Sequence, residues 1–235
     1  MLVKLDDRLK AVADLVLPGK TAADIGTDHN YLPVFLVQNN ICEHVIASDR
    51  ADGPYRNAAS LVKRLALEDK IKVRLGEGLE VLNPGEAATI IIAGMGGRLM
   101  IDILAAAPAI LTAADRLVLQ PQKDLPAVRC WLADHRWSIV KETMALDSGI
   151  YYTALAAEHG QMKLSQDEIV FGPCLIAEHP QLWIDYLQLR LEDIEQLVAK
   201  LAQHDSGEIR RRQQSLQQER KRIIDLLARA TVDDK

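Results

Sequence analysis

Apolar and polar residues alternate up to residue 135 in a pattern that predicts strands separated by helices. Short apolar runs ending in a polar or glycine-rich turn are typical of buried parallel strands, and the segments between them have the spacing of amphipathic helices. This pattern predicts an α/β fold with helices on both faces of a parallel sheet. Strands are expected in a run ending at Asp24 and at 44–49, 71–79 with its loop, 88–97 with a glycine-rich turn, and 115–122, and helices at 5–17, 31–37, 54–67, 98–107 and 124–135.

The pattern changes at residue 136, where two β-rich runs follow each other without a helix between them. WSIVKETMAL and IYYTALAAE are separated only by the turn residues 147–149. This arrangement predicts an antiparallel hairpin at the edge of the sheet. Five strand–helix units that end in such a hairpin are typical of a class I methyltransferase (Rossmann-like) sheet, whereas a dinucleotide dehydrogenase normally continues with parallel units.

Beyond Glu158 the sequence becomes polar and helical. Apolar residues are spaced alternately by four and three positions, as in a coiled-coil seam, and turn-prone residues at 203–207 interrupt them. We predict an α/β domain over 1–160 and a small coiled-coil-like helical hairpin domain within 161–235. The seam residues are Leu187, Leu191, Ile194, Val198 and Leu201 in the first helix, and Ile209, Leu216, Ile223 and Leu227 in the second, which is expected from about residue 208 to 229.

Composition and charge are those of an ordinary globular protein. Of 235 residues, 49% are hydrophobic and 26% are charged, and the formal net charge is −5, unlike disordered or membrane proteins. Cys42, Cys130 and Cys174 lack CxxC spacing and nearby paired histidines, so we expect no metal site. The N-terminus does not resemble a signal peptide, and no run is long enough to cross a bilayer. We expect a cytoplasmic monomer with no membrane partner.

The stretch TAADIGTDHNYLP at 21–33 combines a strand, a tight turn and the start of a helix. In open α/β sheets a nucleotide-like ligand lies against such a turn. The carboxylates of Asp24 and Asp28 would repel a pyrophosphate but suit a ligand with a cationic group and ribose hydroxyls. The stretch therefore indicates S-adenosylmethionine. His29 is a candidate base, although a histidine in a turn more often orders its own loop.

Further candidates follow the next two strands or precede the first. Asp49 ends the second strand and is expected to bind ribose hydroxyls, unless it is only a helix N-cap. In ArgLeuGlyGluGlyLeu at 74–79, Gly76 and Gly78 would let the backbone approach a flat adenine ring, unless they only form a tight turn. Arg8 lies on the helix ahead of the cofactor turn, either near the cofactor or as a solvated arginine.

AlaGlyMetGlyGly at 93–97 occupies the place where enzymes that methylate an exocyclic amine usually carry an (Asp/Asn)-Pro-Pro-aromatic run. A ring nitrogen has a free in-plane lone pair and needs no proton removed before it is methylated. A glycine turn that offers backbone groups therefore favours methylation of a ring nitrogen, although glycine turns after strands are common. Gln120 and Pro121, with the following Gln122, are candidates for the edge of the acceptor pocket or simply polar loop residues.

Six basic residues lie between 206 and 222, opposed by Glu208 and Glu219, so this window carries a local charge of +4. Such runs are usually solvated helix faces. In a chain of net charge −5, the same concentration is also consistent with a surface that contacts phosphates. The six residues are Arg210, Arg211, Arg212, Arg220, Lys221 and Arg222.

Several motifs occur in one order along nearly the whole chain: AlaAspIleGlyThrAspHis with TyrLeuPro, AlaSerAsp with GlyPro, ArgLeuGlyGluGlyLeu, IleAlaGlyMetGlyGly and LeuGlnPro, then the helical hairpin. Together they resemble the bacterial tRNA (adenine-22-N1)-methyltransferase family. The resemblance implies a class I fold, S-adenosylmethionine as donor, and tRNA methylated on N1 of an adenine in the D-arm. Arg50-Ala51-Asp52 departs from the family pattern, in which we expect a small apolar or basic residue.

With this resemblance, the motifs give two sets of binding residues and no assigned catalytic residue. The cofactor set is Arg8, Asp24, Gly26, Asp28, His29, Tyr31, Asp49, Gly76, Gly78, Ala93, Gly94 and Met95. The substrate set is Gly96, Gly97, Gln120, Pro121, Arg210, Arg211 and Arg212.

Other functions stay open at this point. A nicotinamide dehydrogenase is disfavoured because GlyThrAspHis replaces the glycines that admit a pyrophosphate. A non-catalytic RNA- or protein-binding module would use the helical hairpin and would bind its partner whether or not S-adenosylmethionine is present. A methyltransferase acting on another RNA or a small molecule is the third alternative.

Overall fold

The computed structural model describes residues 2–27, 30–202 and 206–233. The chain divides into two compact units, Met1–Val170 and Phe171–Lys235. The functional division after residue 160 that the sequence suggests stays a prediction. No helix in the described part of the chain is both long enough and apolar enough to span a bilayer.

The first unit contains a seven-stranded sheet with the strand order β3-β2-β1-β4-β5-β7-β6. Strands β1 to β5 are parallel, while β7 pairs antiparallel with both β5 and β6. The predicted parallel sheet with an antiparallel edge hairpin is therefore confirmed. The strands are β1 (Ala22–Ile25), β2 (Val45–Asp49), β3 (Ile71–Leu75), β4 (Thr89–Gly96), β5 (Arg116–Lys123), β6 (Trp137–Asp147) and β7 (Ile150–His159).

Helices connect the parallel strands, as the sequence pattern predicts. Three short helices, at Pro108–Ala113, Gln166–Phe171 and Pro173–Glu178, are absent from the prediction, because six residues are too few to show a helical period. The helices are α1 (Asp7–Ala13), α2 (Tyr31–Gln38), α3 (Asp52–Arg64), α4 (Gly97–Ala105), α5 (Pro108–Ala113), α6 (Leu125–Asp134), α7 (Gln166–Phe171), α8 (Pro173–Glu178), α9 (Gln181–Leu201) and α10 (Gly207–Asp233), and a 3₁₀ helix covers Gly78–Val81.

Local capping sets the ends of two predicted segments. The helix predicted at 5–17 is shorter than expected and covers only α1. It starts at Asp7 because Asp6 caps it by accepting a hydrogen bond from the Leu9 amide at 2.7 Å, and it ends at Ala13 with Asp14 as the C-cap residue. The strand predicted at 71–79 with its loop ends at Leu75, and a reciprocal capping box between Glu77 and Glu80 begins the 3₁₀ helix.

The core lies on both faces of the central strands. All four residues of β1 are buried, and the middles of β4 and β5, Ile90–Ile92 and Leu117–Leu119, are fully buried. Strands covered by helices on both faces read as continuous apolar runs and not as alternating ones. This is why the central strands are the easiest elements to find in the sequence.

A buried ion pair lies at the end of the first unit. Arg129 on α6 pairs with Glu142 on β6 at 2.8 Å, and both side chains are almost completely buried. The Arg129 guanidinium also donates hydrogen bonds of 3.0 Å to the carbonyls of Ile169 and Val170. A buried charge is tolerated because it is both paired and hydrogen-bonded.

In the second unit, α9 and α10 pack against each other. Leu187 and Ile194 are buried on α9, as are Leu216 and Ile223 on α10, at positions that the seam predicts. Ion pairs of 2.8 Å join Arg190 to Glu219 and Arg220 to Glu195. The C-terminal helices are thus confirmed, while their description as a coiled coil stays a prediction. Residues 203–205 of the predicted break lie outside the described residues.

Candidate cofactor and acceptor site

The candidate site lies at the carboxyl ends of β1, β2 and β4. Strands β1 and β4 are neighbours in the sheet but not in the sequence. Chains that leave two such strands depart in opposite directions, and this opens a crevice in which ligands of α/β proteins bind. Asp24 near the end of β1 and Asp49 at the end of β2 are therefore brought to one edge of the sheet.

One cavity at this edge, which we call the charged cavity, has a volume of about 390 Å³. It contains carboxylates and a guanidinium, and Tyr31 at its margin is 46% exposed. Its lining residues are Asp6, Arg8, Leu9, Asp24, Gly26, Thr27, Tyr31, Leu32, Ala93, Gly94, Met95 and Gln122.

A second cavity, the apolar cavity, has a volume of about 230 Å³. Its walls include the side chains of Leu99 and Ile103, which lie one turn apart on α4. The full lining is Ile25, Gly26, Ser48, Asp49, Arg50, Gly76, Glu77, Gly78, Met95, Leu99 and Ile103.

Gly26 and Met95 line both cavities and mark the place where they adjoin. Gly26 has a φ of +78°, which favours glycine, and its amide donates a hydrogen bond of 2.8 Å to the Ser48 carbonyl. A Cβ atom on Gly26 would lie 2.2 Å from Met95 Cε. The missing side chain therefore leaves the space in which the Met95 side chain lies between the cavities.

Asp24 is the buried acid of the charged cavity, with 5% of its surface exposed. Burial raises the pKa of Asp24 to about 6, and the nearby Asp49 carboxylate adds to the rise. Burial makes the ionised form of Asp24 unfavourable unless a positive charge lies nearby. The position therefore suits a ligand with a cationic group, since a positive partner favours the charged form of the carboxylate.

Arg8 is oriented toward the 93–97 turn by a buried glutamine. The fully buried Gln120 accepts hydrogen bonds from Arg8 Nη1 at 3.0 Å and from the Gly94 amide at 3.2 Å. Its own amide donates to the Pro121 carbonyl at 3.2 Å. Arg8 also lies over the Tyr152 ring, 5.8 Å from the ring centre. Gln120 thus links α1, β4 and β5, and the neighbouring Gln122 lines the charged cavity instead.

The loop that follows β3 closes the apolar cavity. Arg74 holds this loop by donating to the Val81 carbonyl at 2.6 Å and to Glu86 Oε2 at 2.8 Å. Hydrogen bonds from Arg74 lower the pKa of Glu86 to about 2, so this carboxylate stays ionised at neutral pH. Across the cavity, Asp49 Oδ1 accepts a hydrogen bond of 2.9 Å from the Ala51 amide.

A side chain at either of the last two positions of the 93–97 turn, Gly96 and Gly97, would meet a different part of the structure. A Cβ on Gly97 would lie 2.8 Å from the Lys123 carbonyl and 2.9 Å from the Asp124 carbonyl, so the backbones of α4 and the β5–α6 connection approach too closely for a side chain. A Cβ on Gly96 would instead meet the side chain of Lys123, at 3.0 Å from Cε.

The structure brings most of the predicted cofactor residues to the two cavities. Those that line one or both are Arg8, Asp24, Gly26, Tyr31, Asp49, Gly76, Gly78, Ala93, Gly94 and Met95. Asp28 and His29 lie outside the described residues. The cofactor roles of all twelve stay predictions at this point.

The predicted substrate residues are more dispersed. Gly96, Gly97, Gln120 and Pro121 adjoin the site without lining either cavity, and Gly97, Gln120 and Pro121 are buried. Arg210, Arg211 and Arg212 are exposed on α10 in the second unit. Residues absent from the sequence-based sets also line the cavities, among them Asp6, Ser48, Glu77, Leu99 and Ile103. Of these, Ser48 lies in the AlaSerAsp motif and Glu77 in the ArgLeuGlyGluGlyLeu motif that the sequence singles out.

A family model described as tRNA (adenine(22)-N(1))-methyltransferase, TrmK, matches residues 22–225. The chain belongs to this family. Its TrmK relatives include the tRNA (adenine(22)-N(1))-methyltransferase of Bacillus subtilis (strain 168), which is 36% identical over 207 residues, covering 86% of this chain and 87% of that protein. The family that the sequence motifs indicate is therefore confirmed.

Solved structures agree with the TrmK assignment. Streptococcus pneumoniae Sp1610 in complex with S-adenosyl-L-methionine is 34% identical, with a TM-score of 0.85, covering 95% of this chain and 100% of that chain. M. capricolum TrmK in complex with S-adenosyl-homocysteine is 26% identical, with a TM-score of 0.81, covering 95% of this chain and 98% of that one. The similarity extends over both units.

Proposed function

We infer that the protein transfers a methyl group from S-adenosylmethionine to N1 of adenine 22 in tRNA. Membership of the TrmK family supports the reaction and the substrate. The observation that carries the inference is the junction at Gly26 and Met95. There the cavity that contains Arg8 and Asp24 meets a cavity whose lining combines apolar side chains with Asp49, Arg50 and Glu77. A donor with a zwitterionic end and a nucleoside end matches these two surroundings.

The residues present fit this donor by their chemistry. In the charged cavity, the Arg8 guanidinium suits a carboxylate, and the Asp24 carboxylate suits an ammonium. In the apolar cavity, the Asp49 carboxylate suits a ribose diol, and Leu99 and Ile103 suit the face of a purine. When bound, S-adenosylmethionine supplies an electrophilic methyl group on a positively charged sulfur.

The remaining cofactor assignments follow the same division. We propose that the backbones of Gly76 and Gly78 approach the nucleoside, and that Ala93, Gly94 and Tyr31 border the amino-acid end. Gly26 and Met95 would lie beside the centre of the donor, because they line both cavities.

The acceptor side of the site offers small residues and backbone groups. The turn at 93–97 contains three glycines and an alanine around Met95, with no titratable side chain. N1 of adenine has a free lone pair, so methylation needs no prior deprotonation. We propose that the turn and the adjoining Gln120 and Pro121 help to hold the base and exclude water, since positioning alone contributes up to ~7–11 kcal/mol in favourable cases. N1 lies on the pairing edge, so the base must be unpaired or turned out of its stack.

We further propose that the second unit holds tRNA through Arg210, Arg211 and Arg212, which are exposed on α10. Arg220, in the same basic window, is paired with Glu195 at 2.8 Å. Since tRNA is abundant in the cytoplasm, we propose that the protein acts there, as a monomer.

The function is tested by mapping methylated nucleosides in a defined tRNA. Purified protein and S-adenosylmethionine are incubated with an unmodified transcript that carries adenine 22, and with a matched transcript that carries guanine 22. We expect 1-methyladenosine in the first transcript only. Methylation at another nucleotide would refute the position, and a lack of methylation in both would refute the activity.

The role of the α10 arginines is tested by replacing all three of Arg210, Arg211 and Arg212 with glutamine, which keeps helix propensity and removes charge. Each lost phosphate contact should flatten the log–log salt dependence of tRNA binding by ~0.7–0.9. Affinity for S-adenosylhomocysteine should not change, because the two cavities lie in the first unit. A salt slope equal to that of the parent protein would mean that these arginines only solvate the helix.

A further inference from the structure

The hydrocarbon stem of Lys123 lies against Gly96 in the 93–97 turn. Lys123 is the last residue of β5 and pairs in register with Gly96, the last residue of β4. Its Cε and Cγ lie 3.0 and 3.7 Å from the position that a Cβ on Gly96 would occupy. Gly96 has φ −70° and ψ 142°, a conformation open to any residue. What the glycine provides here is therefore space for the lysine stem.

The Lys123 side chain is exposed, and it forms no hydrogen bond or ion pair within residues 2–27, 30–202 and 206–233. Some other cations of the first unit are paired, such as Arg74 with Glu86 and Lys20 with Asp115. Lys123 differs from other exposed lysines, such as Lys70, because its stem lies against Gly96 in the 93–97 turn. In a chain of net charge −5, a lysine whose stem lies against Gly96 and that has no carboxylate partner in the described chain is available to an external anion.

The charge of the proposed reaction favours an anion near the Lys123 ammonium. The donor carries a positively charged sulfur, and methylation of N1 leaves the adenine ring positively charged. The transfer moves a single positive charge from the sulfur to the ring, so an ammonium at this turn would face one positive group throughout and would be unfavourable there unless an anion lay beside it. The carboxylates of Asp6 and Asp24 line the charged cavity, whereas the substrate itself carries a phosphate on each side of the target nucleoside.

We propose that the Lys123 ammonium binds a phosphate adjoining the target adenosine and thereby holds this nucleotide in its turned-out position. The proposal rests on the proposed function, since it takes tRNA as the substrate. Lysine binds phosphate as a point charge on a flexible stem, and packing of the stem on Gly96 restricts where that charge can lie. Lys123 is thus a substrate-positioning residue, separate from the cofactor residues and from the arginines of α10.

The test uses the full-length protein and the transcript with adenine 22. Lys123→Met keeps an unbranched stem over Gly96 and removes the charge, and Lys123→Arg restores the charge. Lys70→Met is the matched control, because Lys70 is also exposed. It precedes the edge strand β3, at the amino ends of the parallel strands, whereas Lys123 lies at their carboxyl ends. The measurements are tRNA affinity over a range of salt, single-turnover methylation, and calorimetric affinity for S-adenosylhomocysteine.

We expect Lys123→Met to weaken tRNA binding about tenfold at low salt, as for a lost charge-assisted hydrogen bond, and to flatten the salt slope by ~0.7–0.9. The single-turnover rate should fall, Lys123→Arg should restore both, and affinity for S-adenosylhomocysteine should stay unchanged. Lys70→Met should behave like the parent protein.

Several outcomes overturn the proposal. If Lys123→Met shows the same salt slope and the same rate as the parent protein, Lys123 does not contact a phosphate. Methylation by the parent protein would still support the proposed function. If Lys70→Met lost as much tRNA affinity as Lys123→Met, the loss would reflect the overall charge of the protein and not a contact made by Lys123. If the parent protein neither binds nor methylates the transcript, the proposed function and this inference both fail.

Discussion

The two cavities share Gly26 and Met95 but differ in chemistry. The charged cavity contains Arg8, Asp6 and Asp24, while the apolar cavity combines the hydrophobic side chains of its walls with Asp49, Arg50 and Glu77. This difference gives the groove a direction, because a ligand with one zwitterionic end and one nucleoside end fits it in one orientation only. Comparing a ligand that contains both ends with a ligand that contains only the nucleoside end therefore tests each cavity separately. S-adenosylhomocysteine has both, and 5′-methylthioadenosine has only the nucleoside end.

The largest effect is expected from Gly26→Ala, which affects both cavities together. The φ of +78° is strained for alanine, at ~1–2 kcal/mol, and the new Cβ would displace the end of the Met95 side chain, which lines both cavities. Calorimetry should show that both ligands lose affinity by roughly tenfold or more.

The matched control is Gly19→Ala, since Gly19 has a similar φ of +73° and no atom within 4 Å of the added Cβ. This variant should lose stability without a change in ligand affinity. If Gly26→Ala affects only one of the two ligands, the junction between the cavities is wrongly placed.

The next largest effect is expected from Asp49→Ala in the apolar cavity. Both ligands contain the ribose, so both should bind more weakly, by ~1–3 kcal/mol for a lost charge-assisted hydrogen-bond partner. Thermal unfolding of the ligand-free protein should change little, because the Ala51 amide that Asp49 caps is exposed. Unchanged affinity for 5′-methylthioadenosine would exclude Asp49 as the ribose contact.

Replacing Arg8 with glutamine should affect only the charged cavity. We expect affinity for S-adenosylhomocysteine to fall by ~1–2 kcal/mol through loss of a carboxylate contact, while affinity for 5′-methylthioadenosine stays as in the parent. Lys10→Gln on the same helix is exposed and serves as the control. Equal losses for both ligands would mean that Arg8 acts through the structure of the turn, by way of Gln120.

The smallest effect is a pH dependence that Asp24 introduces. Burial raises the pKa of Asp24 to about 6, and an ammonium prefers its ionised form, so affinity for S-adenosylhomocysteine should fall as pH drops through 6. Between pH 7.5 and 5.5 the loss should be about fourfold, following the ionised fraction. Asp24→Asn should remove this dependence, and 5′-methylthioadenosine should not show it.

The effect of Asp24 on folding has the opposite direction. Its pKa in the folded protein lies above its ordinary value of 3.8, so the folded state binds the proton more tightly than the unfolded state. The free energy of unfolding should therefore fall as pH rises from about 4 through 6. Asp24→Asn should lose this contribution in thermal melts across that pH range. A larger slope in the variant would contradict the burial of this carboxyl group.

Acids and glycines at strand ends made part of the site predictable from sequence. Asp24, Gly26 and Asp49 follow runs apolar enough to be central strands, and parallel strands bring their carboxyl ends together. Leu99 and Ile103 were missed because apolar residues four apart on a helix indicate core packing as readily as a ligand.

Polar residues near the site were harder to interpret. Gln120 is polar and follows a strand, which suggests contact with substrate, yet its side chain is fully buried between Arg8 and Gly94. Asp6 caps a helix and also lines a cavity. Sequence spacing does not separate such roles, because they depend on which way a side chain turns after the chain has folded.

The buried Arg129 has a consequence for how the protein is made. Its guanidinium needs the carbonyls of Ile169 and Val170, and a buried cation without its acceptors is strongly unfavourable. During synthesis, the N-terminal unit can complete its structure only after residue 170 has left the ribosome. A recombinant fragment that ends at residue 160 would lack these acceptors permanently, whereas one that retains Val170 keeps them.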